Sequence, residues 1–384
     1  MVAADLFFVD RYKEIRRGFL DLGQFDDIIR LGRQPSPSKV AMLFAESSDV
    51  WVVQSVYRAF NNSHQGYRYG TFGSARQAMF LLLLHTGIPF DIVIEEDALG
   101  SSPPLAQYQF LFVVDPHVRN DAAAGIERWV RRGGTLFASA GAGIRNEFNR
   151  TSAFAKMLGA HTSRLDIGSR GLNATIDFIK QDLAWAERLD TVKLGSATLG
   201  VFGHAAALHN LHPDTSVLAR FEEAGTAAVT QRPLGQGKVI NCAMHPGLAY
   251  VHPAIPRRPV DRGTDDSAFN HFIPHEFNVA ARDQLVVGTT NLSATPKLVS
   301  ASHALCDAQL ITAPRRNASV VVLVNWAGKT LRNLTVALER GAVPSWSSAT
   351  LASGGRVVVG TASSTSDVFT VERLEAADAL IFRQ

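Results

Sequence analysis

The sequence predicts an α/β protein with a mainly parallel sheet, followed by a small all-β sandwich. Three observations carry this. Tyr108 to Gly143 reads as strand, helix, strand, a unit that closes as a right-handed parallel crossover. Short apolar runs of the same kind, KVAMLF, FDIVI and KVINCA, stand before and after it with helical stretches between them. After Gly288 the pattern changes to short strand-like runs separated by Gly, Ser, Asn and Pro turns.

The elements follow in order. Asp5 to Leu31 places Leu6, Val9, Ile15, Phe19, Leu22, Phe25, Ile28 and Ile29 at helical spacing, and such a lead needs something else to pack on. Arg33 to Ser38 is a linker by composition. Lys39 to Phe44 is a strand, Ser74 to His85 a helix closed by Gly87 and Pro89, and Phe90 to Ile94 a strand running into Glu95-Glu96-Asp97. In the central unit, Gln109 to Val114 is a strand. The helix Asp121 to Arg132 has an inner face of Ala122, Ile126, Trp129 and Val130 and stops at Gly133-Gly134. Thr135 to Ala138 is the next strand, and Thr151 to Leu158 reads as a helix. His161 to Pro233 is looser, with short β-like runs and a helix near Phe178 to Arg188, as in an insertion. Lys238 to Ala243 returns to the sheet, Met244 to Thr264 reads as a long ordered loop, and a helix from Phe277 to Val287 ends the domain. The expected division is residues 1–38 as lead and linker, 39–288 as the α/β domain with an insertion at about 161–233, and 289–384 as the sandwich.

Composition removes several functions. Of 384 residues, 46% are hydrophobic and 19% charged, and the net charge is +3. The basic residues are scattered, with no basic stripe carrying interleaved aromatics, so nucleic acid is not an expected partner. The longest apolar run, Ala78 to Leu84, is too short to span a bilayer, so no membrane contact is expected. The N-terminus lacks a signal-peptide core, which makes a cytoplasmic location the expectation. Cys242 and Cys306 do not make a disulfide framework.

In a doubly wound sheet, ligands sit beyond the carboxyl ends of the strands. The acids Glu46, Asp49, Glu95, Glu96, Asp97 and Asp115 all follow strands, and several could converge there as a hydrolytic carboxylate pair, or serve only as caps. Ala140-Gly141-Ala142-Gly143 has the small residues of a nucleophile elbow, but Gly141 stands at its centre. His245, with Cys242, His252, His271, His275 and Glu276, makes a histidine-rich segment. Pro274 interrupts any helix through it, and neither a metal nor a cofactor is expected. Arg257, Arg258, Asp261 and Arg262 form a charged loop suited to holding a carboxylate, a sugar or a neighbouring subunit. Trp51, Tyr250 and Trp326 are the aromatics a sugar-binding reading would use.

The central stretch, together with KVAMLF, LGQGKVINCAMHPGLAY and the closing SVVVLVNWAG, resembles the glutamine amidotransferase-like domain of β-galactosidases and the β-domain after it. That resemblance implies a class I amidotransferase-like, flavodoxin-like sheet used for trimerisation, and hence a homo-oligomer, dimer or trimer, in a carbohydrate-active protein. Active amidotransferases carry Cys in the elbow and His-Pro-Glu after a later strand. Here Gly141 and His245-Pro246-Gly247 stand instead, which implies no glutamine hydrolysis. The reading is therefore a structural assembly module, with a glycoside hydrolase using the strand-end carboxylates, or a sugar-binding module, as alternatives.

Overall fold

The computed structural model describes residues 9–51, 67–100, 104–167, 187–254, 276–343, 345–360 and 364–384. The chain forms two units: Ser38–Thr295, and Met1–Pro37 together with Pro296–Gln384. The lead is helical, as its spacing predicts, with α1 (Val9–Gly23) and α2 (Asp26–Leu31). What it packs on is the C-terminal β region. Phe25 and Ile28 are buried among Ala313, Ala318, Val320, Ala379 and Ile381. Arg383 Nη2 donates to Asp27 Oδ1 at 3.0 Å, and Arg33 pairs with Thr312 across a β-bridge.

The α/β unit is built on a seven-stranded sheet. Its order is β2 (Phe90–Ile94), β1 (Val40–Phe44), β3 (Phe110–Val113), β4 (Thr135–Ala138), β11 (Gly237–Cys242), β10 (Ala227–Leu234) and β9 (Ser216–Arg220). The first five strands run parallel and the last two antiparallel. Helix α3 (Tyr67–Leu84) lays Ala75, Met79, Leu82 and Leu83 against Met42, Phe112 and Phe137. Helix α4 (Asn120–Arg131) lays Ala122, Ile126, Trp129 and Val130 against Leu111, Val113, Leu136 and Val239 on the other face. Burial on both faces is why the central strands are apolar without alternation.

Several expectations need correction. Thr151 is held in a bridge to Arg145, so the helix expected over 151–158 shrinks to α5 (Phe154–Met157). Of the helix expected near 178–188, residues 178–186 lie outside the described residues, and Arg188 opens β6 (Arg188–Leu194), which pairs with β7 (Ala197–Phe202). β5 (His161–Ile167) pairs with β8 (His204–His209), and β9 and β10 from the same stretch join the main sheet. The loop expected from Met244 begins instead as α6 (Pro246–Val251) and a 3-10 turn at His252–Ala254, with Pro246 at the first helical position where its missing N–H costs nothing. The last helix of the unit is π-helical over Ala281–Gly288.

The C-terminal strands make two four-stranded antiparallel sheets. One is β12 (Val299–Ala301), β15 (Leu331–Glu339), β18 (Ser366–Leu374), β17 (Val357–Val359). The other is β13 (Cys306–Ala313), β14 (Ala318–Asn325), β19 (Ala377–Arg383), β16 (Ser348–Leu351). Val321, Leu323, Leu380 and Phe382 of one share a core with Leu334, Val336, Phe369 and Val371 of the other. β16 was not foreseen, because Leu351 is its one buried side chain and the strand carries no alternation to read.

Candidate functional site at the carboxyl edge of the parallel sheet

Four strands deliver their ends to one edge. β1 ends in Ala45–Asp49, β3 in Asp115, β4 in the turn Ser139–Gly143, and β11 in Met244-His245. Backbone bonds join them. Ser139 N–H donates to Val113 O at 3.0 Å, Gly143 N–H to Asp115 O at 2.8 Å, and Ala140 N–H to Met244 O at 3.1 Å.

Two of the six expected carboxylates, Asp49 and Asp115, meet, but through an arginine. Arg76 of α3 donates from Nη2 to Asp49 Oδ1 at 2.8 Å and from Nη1 to both oxygens of Asp115 at 3.2 and 3.3 Å. Its guanidinium carbon lies 4.2 Å from the centre of the Phe44 ring. Asp115 also accepts Ala45 N–H at 3.0 Å and is 2% exposed. Burial pushes its carboxyl up to about 6, although Arg76 and the Ala45 amide pull the other way. Arg76 is held above its ordinary value: burial lowers it, and Asp115 and Asp49 more than offset that. A glycosidase pair must face a substrate across an open gap. Asp49 and Asp115 face one guanidinium instead.

The other acids serve the backbone and the surface. Glu95, fully buried, accepts Ser47 N–H at 3.0 Å, Ser47 Oγ at 2.8 Å and Arg119 N–H at 2.7 Å, locking the ends of β1 and β2 to the start of α4. Glu96 pairs with Arg119, which also holds Asp121 at 2.7 Å. Glu46 is exposed, and partial loss of water followed by the neighbouring Glu96 and Glu95 raises its carboxyl above the usual range.

The turn after β4 has the backbone of an elbow. Gly141 takes φ 73° and Gly143 φ 59°, the left-handed region that costs glycine least. A Cβ on Gly143 would lie 2.3 Å from the Phe154 ring. Beside the turn runs a buried side-chain chain: His245 Nδ1 lies 3.3 Å from Ser139 Oγ, and His245 Nε2 lies 2.9 Å from His204 Nδ1. Phe72 stacks on His204 at 4.4 Å and meets His245 edge-on at 5.3 Å. Burial, then His204, holds His245 well below its ordinary value, so it is neutral and a poor proton acceptor. Ser139 and His245 are each 1% exposed, and His204 is fully buried, so no substrate reaches them. Gly247 explains the missing acid of the His-Pro-Glu pattern. A Cβ there would sit 2.4 Å from Met79 N, where α6 meets the backbone of α3.

Of the expected ligand residues, Tyr250 is fully buried with its hydroxyl 2.7 Å from His85 Nδ1, and so is part of the core rather than a sugar platform. Trp51 is half-buried, stacked on His117 at 5.8 Å, and donates its indole N–H to Glu147 O at 3.1 Å. Arg257, Arg258, Asp261 and Arg262 lie outside the described residues, as do His271 and His275. Among the described residues no group of three His, Cys, Asp or Glu side chains could hold a metal ion, and no helix is long and apolar enough to cross a membrane. Sequence reasoning missed Arg76 and His204. Arg76 had a signal, the one charged residue in the apolar helix expected over Ser74 to His85, while His204 had none.

The family described as the β-galactosidase trimerisation domain matches residues 38–255, the whole parallel sheet and its carboxyl edge. The chain belongs to this family. Comparison of the sequence with curated proteins finds no match. Solved structures share the fold of this trimerisation-domain chain. A GH42 β-galactosidase from G. stearothermophilus superposes with a TM-score of 0.55 at 15% identity, covering 91% of this chain and 40% of its own. A β-galactosidase from Bacillus circulans sp. alkalophilus gives 0.53 at 14% identity, over 94% and 43%. An α-L-fucosidase isoenzyme 2 from Paenibacillus thiaminolyticus gives 0.54 at 15%, over 95% and 51%. The chain thus spans about two-fifths of those β-galactosidases and about half of the fucosidase.

Proposed function

We propose that this chain is a non-catalytic assembly module of a β-galactosidase-like glycoside hydrolase, joining copies of itself into a homo-oligomer. The underlying fold is read as glutamine amidotransferase-like. The parallel order β2-β1-β3-β4-β11 follows the 2-1-3-4-5 winding of flavodoxin-like sheets, with an elbow turn after the fourth strand. The single observation that carries the non-catalytic reading is that elbow. Gly141 occupies the strained centre where a nucleophile belongs, and the histidine beside it is sealed under Phe72. A nucleophile and base must meet a substrate for covalent catalysis, and here the nucleophile is missing and the base is buried. The strand-end carboxylates do not restore a hydrolytic site, because Arg76 bridges Asp49 and Asp115. Family membership supports assembly as the remaining role.

Light scattering across a concentration series tests this. A dimer or trimer mass that grows in with concentration is expected. A monomer at every concentration overturns the assembly reading, and turnover of aryl galactosides by the purified chain overturns the non-catalytic one.

A further inference from the structure

We propose that the open β2 edge of the α/β sheet is where a second copy of this chain docks. The inference rests on the assembly reading above and adds the surface. Among the described residues β2 pairs with no strand but β1 and forms one end of the seven-stranded sheet, with Ile94 N–H capped by Asp97 Oδ2 at 2.9 Å. Its alternate residues face opposite ways. Val93 is buried on the α4 side, and Asp91 accepts the Tyr108 hydroxyl at 2.8 Å, so the register of the strand is fixed. Phe90, Ile92 and Ile94 therefore face the α3 side. There Phe90 meets Phe80 of α3 at 5.3 Å, edge to face. Ile92 is left 49% exposed, Phe80 42% and Ile94 37%. From Phe90 to Ile94 the apolar strip runs about 13 Å at the usual strand rise.

Edge strands that stay unpaired are ordinarily blunted by lysine, proline or an inward charge. β2 has no lysine and no proline, and its one charge, Asp91, is tied to Tyr108 on the other face. The strip therefore has the character of a surface that is covered in the working protein. The whole strip lies inside residues 38–255, the span matched by a family described by its trimerisation, which selects another copy of the chain as the occupant. In a closed ring each copy presents two different surfaces. The strip then meets a different part of its neighbour, not the neighbour's own β2.

The test is sedimentation velocity of the full chain over a concentration series. It compares the wild type with Ile92→Lys, Phe80→Glu and Ile92→Thr. The last keeps a β-branched residue in the strand in case a charge disturbs folding. Phe148→Glu is the control, because Phe148 is 68% exposed on a loop outside the strip. Ile92→Lys and Phe80→Glu should weaken self-association by about 30-fold or more, the size of a hot-spot loss. Ile92→Thr should weaken it less, and Phe148→Glu should leave it as it was. Amide exchange at residues 90–94 should slow as wild-type concentration rises. Wild-type association with all three strip variants unchanged, or equal loss in Phe148→Glu, overturns the docking surface and leaves the assembly reading standing. A wild type that is monomeric throughout overturns both.

Discussion

Arg76→Met isolates the charge network at the sheet edge. The side chain keeps most of its length over Phe44 but loses three hydrogen bonds, two of them to Asp115. Asp115 would then be a buried carboxylate that keeps the Ala45 amide as a partner. Breaking a buried ion pair by removing one side costs about 3–5 kcal/mol. The cost must depend on pH, and its sign follows from the carboxyl. Burial pushes the Asp115 carboxyl up to about 6 in the fold against an ordinary 3.8. Its contribution is thus fully present below 3.8 and is lost as pH rises through about 6. A difference of that size corresponds to about 3 kcal/mol. Without Arg76 the folded value moves higher still, so the substitution should cost about 3–5 kcal/mol at pH 8. At pH 5, where the acid is mostly protonated in either protein, it should cost about 1 kcal/mol. Urea unfolding at the two pH values, with unchanged slope, reads this directly. Adding Asp115→Asn to Arg76→Met should remove most of the pH dependence. An equal cost at pH 5 and pH 8 would refute the account of Asp115 as a buried, arginine-compensated acid.

Trp129→Ala should cost the α/β unit about 3–5 kcal/mol. The ring is 6% exposed, covers Gly134 and donates to Tyr108 O at 3.1 Å, so an unchanged thermal midpoint would mean the α4 face is misassigned. Ile28→Ala should destabilise the β unit by about 2–5 kcal/mol, because its fully buried side chain joins the lead to the C-terminal strands. Calorimetry in which only the α/β transition moves would contradict that packing. Purified protein should release no ammonia from glutamine. Cys242 is fully buried, and burial pushes its thiol up to about 12, so ammonia release abolished by Cys242→Ala would refute the reading of that thiol as inert.

Local chemistry made the element types legible. The run FLFV, the Ala122–Ile126–Trp129–Val130 stripe and the Gly133-Gly134 stop each act over a few residues, and β2 and β4 appear at the expected bounds. The vacant elbow was legible too, because a missing nucleophile is a matter of residue identity at Gly141. Tertiary structure decided whatever depends on residues far apart in the chain meeting. The lead gives no sign of its partner, since Ile28 finds Val320 and Ile381 only once β14 and β19 have paired. Arg76 reads as a stray charge on α3 until the ends of β1 and β3 bring Asp49 and Asp115 to it. Tyr250 has the composition of a binding residue, and only the packing of α6 against α3 and His85 sends it to the core. Periodicity reports which side of an element is apolar. What covers that side is set by strand order and crossovers, which no local pattern encodes.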